Sequence, residues 1–312
     1  MKDWASKPGT GTSPEPVQGS SLEELFRSYY RYGFSIAYRM LGSVGDAEDT
    51  VQDCFAEMQR LGSSNIHNMK AYVAKGITNR CLNMLGSARS RRETYIGQWL
   101  PEPVSDAYDE PEASVERKDT LSYAFLVLLE LLSPTERAVF VLREAFQYGY
   151  DAIAEMVGKS ESNCRQIFSR AKRTLQARPT SELHPAPGGS ASREQLLNRF
   201  TAAFTAYDIE GMLALLGEHP VLVCDGGAKE VHTILRPMKG RKGVLALLTS
   251  RRVLKQMHEW EISTNRINGE QNLVFKRQGE VRAVLCLVLD KSGEHIQDLY
   301  LMMAASKLGH VN

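Results

Sequence analysis

Apolar residues return at helical intervals through most of the first half of the chain. Leu22, Leu25, Phe26, Tyr29, Ile36 and Met40 share one face of a first helix. Gly42-Ser43-Val44-Gly45 breaks it, and a second helix is expected from near Asp46, burying Ala47, Val51, Cys54, Phe55 and Met58. A third is expected from about Asn68 to Ser87, with Met69, Tyr72, Val73, Ile77 and Leu85 turned inward. The period lapses in a Pro- and acid-rich interval and resumes at 119. Ser133-Pro134-Thr135-Glu136 predicts a helix start: Ser as cap, Pro at the first helical position, Glu reaching back. Ala138, Val139, Leu142 and Phe146 form its inner face. A short helix over Tyr150–Val157, a Gly158-Lys159-Ser160 turn and a longer helix over Glu161–Ala177 then follow. Short helix, glycine turn, basic helix is the outline of a helix-turn-helix.

From Arg193 the pattern changes class. One amphipathic helix (Leu196, Leu197, Phe200, Phe204) and a shorter one near Met212–Leu216 lead into strand-like runs. These are Val221–Cys224, Val231–Leu235, Trp260–Arg266, Leu273–Arg277, Val281–Leu289 and Gln297–Ala304, interrupted by one helical stretch over about Gly243–Lys255. The expectation is an α+β domain of 193–312. Residues 1–20, rich in Gly, Ser and Pro, read as a disordered tail, and 93–118 and 179–192 as linkers.

The chain has 312 residues, 43% hydrophobic and 24% charged, with a net charge of +1. That suits two or three globular domains and excludes collagen-like, coiled-coil and wholly disordered classes. No apolar run is long enough to span a membrane, and residues 1–20 lack the apolar stretch of a secretory signal. Cys54, Cys81, Cys164, Cys224 and Cys286 make no metal-binding spacing and read as reduced, buried thiols. A cytoplasmic protein without metal or cofactor is expected.

The near-zero total hides a segregated charge. Met58–Arg92 holds seven Lys or Arg and no acid, and Lys159–Arg178 holds six against one. Glu102–Asp119 holds seven acids against two bases. Two basic blocks, the second on the last helix of the helix-turn-helix, suggest two phosphate contacts. The first block interleaves cations with Tyr72, Asn79 and Asn83, which suits handling of an unstacked base. The second helix bears the opposite charge outward, at Glu48, Asp49, Gln52, Asp53 and Glu57. Such a face repels nucleic acid and points to a protein partner.

These residues carry a resemblance. Residues 1–178 resemble a bacterial RNA polymerase sigma factor of the extracytoplasmic-function group. "AYRMLGSVGDAEDTVQDCF" (37–55) and "AYVAKGITNRCLNMLGSARSRRE" (71–93) look like region 2, and "LSPTERAVFVLREAFQYGYDAIAEMVGKSESNCRQIFSRAKRTL" (132–175) looks like region 4. "WLPEP" (99–103), "DGGAK" (225–229, where the subgroup has DGGGK) and "AASKL" (304–308, where it has NPDKL) mark a subgroup with a fused SnoaL-like domain.

The resemblance implies two all-α sigma domains, a region 2 helical bundle over 21–92 and a region 4 helix-turn-helix over 119–178. A C-terminal cone-shaped α+β SnoaL-like domain follows. It implies core RNA polymerase and promoter DNA as partners, and no enzymatic activity. Glu48, Asp49, Gln52 and Asp53 would bind polymerase. Asn79, Arg80, Arg89, Arg91 and Arg92 would melt and read the −10 element. Asn163, Arg165, Gln166, Ser169, Arg170 and Arg173 would read and grip the −35 element. Trp99, Pro101, Asp225, Gly226, Gly227 and Lys229 would carry regulation by the C-terminal domain in cis. Asp225, His232, Trp260 and His295 are that domain's polar or aromatic candidates, each more readily explained as a core or turn residue. A small-molecule ligand for that domain stays open. So do an enzyme of cyclase or isomerase type fused to a DNA-binding module, and a conventional helix-turn-helix regulator.

Overall fold

The computed structural model describes residues 22–61, 66–93, 98–105, 122–177, 190–226, 236–250 and 254–311. The tail, the acid-rich 106–121, most of the second linker and the strand expected over Val231–Leu235 lie outside these residues.

The first helices are α1 (Leu22–Leu41), α2 (Val44–Leu61) and α3 (Met69–Glu93). Gly42 ends α1 with φ of +70°, which a residue without Cβ adopts freely. The break is therefore two residues, and α2 begins at Val44 rather than near Asp46. Helix α3 continues six residues past Ser87, because no Pro or capping Gly stops it. Next come α4 (Tyr123–Leu129), α5 (Pro134–Glu144), α6 (Tyr150–Val157) and α7 (Glu161–Gln176). Glu136 Oε2 accepts from the Ser133 backbone N–H at 3.0 Å and from its hydroxyl at 2.6 Å, fixing the start of α5. Gly158, with φ of +65°, turns α6 into α7.

The last part comprises α8 (Ser190–Thr205), α9 (Ile209–Leu215), β1 (Leu216–Asp225), β2 (Met238–Lys239) and α10 (Gly240–Leu248). After these come β3 (Glu261–Ile267), β4 (Glu270–Arg277), β5 (Glu280–Leu289) and β6 (Ile296–Met302). Leu216, expected in a helix, opens β1 instead. The helix expected over about Gly243–Lys255 ends at Leu248, and a 3₁₀ turn covers Lys255–Glu259. The strands form one sheet in the order β2-β1-β6-β5-β4-β3, antiparallel except for the β1–β6 pair.

Among the described residues three cores hold the fold together. The first joins α1–α3 to α4–α7, so the two helical regions share one interior. The second lies between the sheet and α8–α10: Leu222, Leu273, Phe275, Leu285 and Leu299 face it. The alternate residues Val274, Val284, Cys286, Tyr300 and Met302 face the third, where Leu100 and Tyr123 cover the other side of the sheet. Helix α4 thus turns Phe125, Leu126, Leu128 and Leu129 to the helical core, and Tyr123, Ala124 and Val127 to the sheet.

Candidate nucleic-acid interface

Helix α2 carries the acidic face. Asp49, Gln52 and Asp53 are exposed. Glu48 is half-buried and accepts a long hydrogen bond from the Tyr30 hydroxyl. Glu57 turns the other way, to Arg80 of α3. The start of α2 has two carboxylate or hydroxyl acceptors: Ser43 Oγ takes the Asp46 N–H at 3.4 Å, and Glu102 Oε2 takes the Val44 N–H at 2.8 Å.

Helix α3 lies against α2 because Gly76 permits it: a Cβ there would sit 2.8 Å from Cys54 Sγ. A cavity of about 460 Å³ opens between them, lined by Glu57, Tyr72, Lys75, Asn79, Arg80 and Asn83 among others. Asn79 is exposed at its mouth. Desolvation pushes the Tyr72 hydroxyl up. Amides, a phenol and a cation around one hollow suit an unstacked base. Arg80 departs from the sequence expectation. Its guanidinium donates to the Glu57 carboxylate and, at 3.2 Å, to the Gly76 carbonyl, so it positions the helix pair rather than standing out toward a phosphate. Lys75, which the sequence did not single out, points to Glu155 of α6 at 2.9 Å. Arg89, Arg91 and Arg92 fall in the last turns of α3, and their side chains lie outside the described residues.

Helix α7 buries Cys164, Ile167, Ala171 and Leu175, stacks Phe168 on Phe140 and turns most of its polar residues outward. Arg165, Gln166, Ser169, Arg170 and Arg173 are exposed, and Asn163 is half-buried. Ser160 Oγ caps the helix through the Asn163 N–H. Arg165 lies 4.5 Å over the Tyr150 ring and 3.3 Å from Glu161, which holds it near the start of α7, the end that enters the major groove in this motif.

A fourth arrangement was only half legible. Residues 98–105, expected to be linker, form an extended strap between the helices and the sheet. Composition reads Pro-rich polar stretches as loops, but this one is held by partners distant in sequence. Asp225, 1% exposed, accepts the Leu100 N–H at 2.9 Å. Lys307 Nζ donates to the Leu100 carbonyl at 2.7 Å and to Asp225 at 2.8 Å. The same ammonium lies 4.3 Å from the centre of the Trp99 ring. Tyr123 donates to the Pro101 carbonyl at 2.6 Å. Val104 exchanges hydrogen bonds with Asn268, whose amide also reaches the Tyr38 hydroxyl.

Trp99, Pro101 and Asp225 therefore meet. Gly226 is half-buried beside them. Gly227, Lys229 and His232 lie outside the described residues. Lys307 is the member that sequence reasoning missed; its signal was the lysine kept within "AASKL". Trp260 packs on the second core. His295 and Asp290 pair at 3.2 Å within the β5–β6 turn. Burial raises the Asp290 carboxyl, but bonds from Ser292, the His295 and Glu294 N–H groups and the His295 ring outweigh it and hold the carboxyl low.

Comparison with known proteins accords with this layout. The family model for sigma-70 region 2 matches residues 25–91, and that for sigma-70 region 4 matches 122–175. The extracytoplasmic-function (ECF) RNA polymerase sigma factor SigJ of Mycobacterium tuberculosis is 32% identical over 229 residues, 72% of this chain and 70% of the relative. The probable ECF sigma factor SigI of the same species is 31% identical over 202 residues, 64% of this chain and 68% of that one. The crystal structure of M. tuberculosis SigJ superposes with a TM-score of 0.69, at 24% identity, across 93% of this chain and 99% of that one. A helix-turn-helix at α6–α7, both regional matches and a relative of this identity lead to one conclusion: the chain belongs to the extracytoplasmic-function RNA polymerase sigma factors of the sigma-70 family.

Proposed function

We propose that this sigma factor, which binds core RNA polymerase and directs it to promoters, is restrained in cis by its C-terminal domain through the strap. Sigma factors act by binding and duplex opening rather than by catalysis. What needs control is the readiness of regions 2 and 4 to separate on polymerase. The observation that carries the reading is the grip on Leu100. One buried ion pair, Asp225–Lys307, holds both the N–H and the carbonyl of a residue lying between the two helical regions in sequence. The same strap caps α2 through Glu102 and receives Tyr123 of α4, so it touches region 2, region 4 and the sheet at once.

Removing Lys307 alone would leave a buried carboxylate uncompensated, at about 3–5 kcal/mol, whereas changing both partners removes the charge problem along with the grip. The test is the full-length double variant Asp225→Asn/Lys307→Met beside Trp99→Ala, in run-off transcription at equal core polymerase. Promoter output should rise severalfold in both variants, with the melting transition retained; a fall in both would make the domain an activator instead. Output identical to the unaltered protein would show the domain to be a bystander to initiation.

A further inference from the structure

We propose that the C-terminal domain carries a third nucleic-acid surface, a sequence-independent grip on duplex DNA phosphates built from Arg236, Lys239 and Lys242. This does not rest on the strap. Residues 236–256 contain seven Lys or Arg and no Asp or Glu, whereas the rest of 190–312 contains nine against thirteen acids. The domain is thus an acidic body with one basic face. Edge strand β2 and helix α10 position that face. Val244, Leu247 and Leu248 of α10 pack on the sheet, and Arg236, Lys239, Arg241 and Lys242 are exposed. Arg241 is a strut, donating to the Gly217 and Leu216 carbonyls at 2.7 and 3.0 Å. Among the described residues no carboxylate pairs with Arg236, Lys239 or Lys242.

Fold stability does not account for this placement. Lys239, Arg241 and Lys242 stand at the start of α10, whose first turn has no acid. The helix dipole disfavours cations there, by roughly 0.3–1 kcal/mol each. The orientation also fits a role in the assembly. Helix α10 lies on the face of the sheet covered by the domain's own helices, while the strap and α4 cover the other. The basic face therefore looks away from regions 2 and 4. The partner already present in a sigma factor's complex with the matching charge is promoter DNA, whose phosphates reward each cation by counterion release.

The experiment uses the full-length chain in holoenzyme with core polymerase, and a promoter duplex titrated between about 50 and 200 mM salt. Arg236→Gln/Lys239→Gln/Lys242→Gln should lower the slope of log affinity against log salt by about 2–3, near 0.9 per lost phosphate contact. Lys242→Gln alone should lower it by about 1, which guards against a folding defect in the triple variant. The loss should persist when the sequence outside the −10 and −35 elements is scrambled, with core binding unchanged. An unchanged slope overturns the proposal. So does a loss confined to core binding, which would make the face a protein contact. So does a loss seen only with a single-stranded RNA competitor, which would make the transcript its ligand.

Discussion

Gly42 shows how much one residue decides. Its φ is +70°, and a Cβ there would sit 2.7 Å from Trp99 Cη2. Alanine would strain the backbone by about 1–2 kcal/mol and push the indole off Lys307. Gly42→Ala should therefore lower the melting temperature by several degrees and shift tryptophan emission, as the ring next to the ammonium moves. Unchanged emission would mean that Trp99 does not depend on this close approach. The buried thiols contrast with this tight site. All five cysteines are free and buried, and burial chiefly, with Asp225 adding, pushes the Cys224 thiol up to about 12. Asp225 was visible in the sequence as a turn-forming aspartate before two glycines. Its partner Lys307 stands 82 residues away in a short 3₁₀ turn (Ala305–Lys307), where no periodicity marks a buried amine.

At the scale of elements, the exposed residues of α7 predict two kinds of contact. Arg165 and Gln166 lie in its first half, and Arg173 is in its last turn. Arg165→Ala and Gln166→Ala should alter −35 preference by about 1–3 kcal/mol of discrimination, whereas Arg173→Ala should weaken all sequences alike. A promoter library scored by transcription separates the two; equal loss on every −35 variant would make Arg165 a backbone contact. Elements of this kind were legible because local signals agree: the Ser133–Glu136 box, the Gly158 turn, the apolar faces of α5 and α7. Strand β5 was legible for another reason. Its run Ala283–Leu289 is almost wholly apolar, as a strand covered on both faces requires. The strap was legible only in part: Trp99, Pro101 and Asp225 were marked by resemblance, but its hydrogen bonds join residues from 22 to 207 positions apart, beyond any local signal.

Over the whole molecule, regions 2 and 4 are folded against each other. Arg137 of α5 donates to the Met40 carbonyl at 2.7 Å and to Glu130, and Lys75 pairs with Glu155. The hydroxyls of Tyr32 and Tyr148 hydrogen-bond across the same seam. Burial pushes the Tyr32 hydroxyl well above 10.0, with Tyr148 adding to the effect, and burial raises Tyr148 as well. Folding therefore holds these protons more tightly than the unfolded chain does. The stability this gives is complete below about pH 10 and is lost as pH rises through and beyond that value. The melting temperature should fall more steeply between about pH 9 and 11 than in Tyr32→Phe/Tyr148→Phe, which lacks both protons. Parallel curves would mean that the seam opens before the phenols titrate.

The strap's cover of the sheet has a thermal consequence. Val274, Val284, Tyr300 and Met302 pack with Leu100 and Tyr123 in one buried apolar layer. Lifting the strap moves that layer into water, so opening carries a positive heat-capacity change. Apolar cover of this kind weakens on cooling. The proposed restraint would therefore bend with temperature, this contribution from a single sheet face loosening it in the cold.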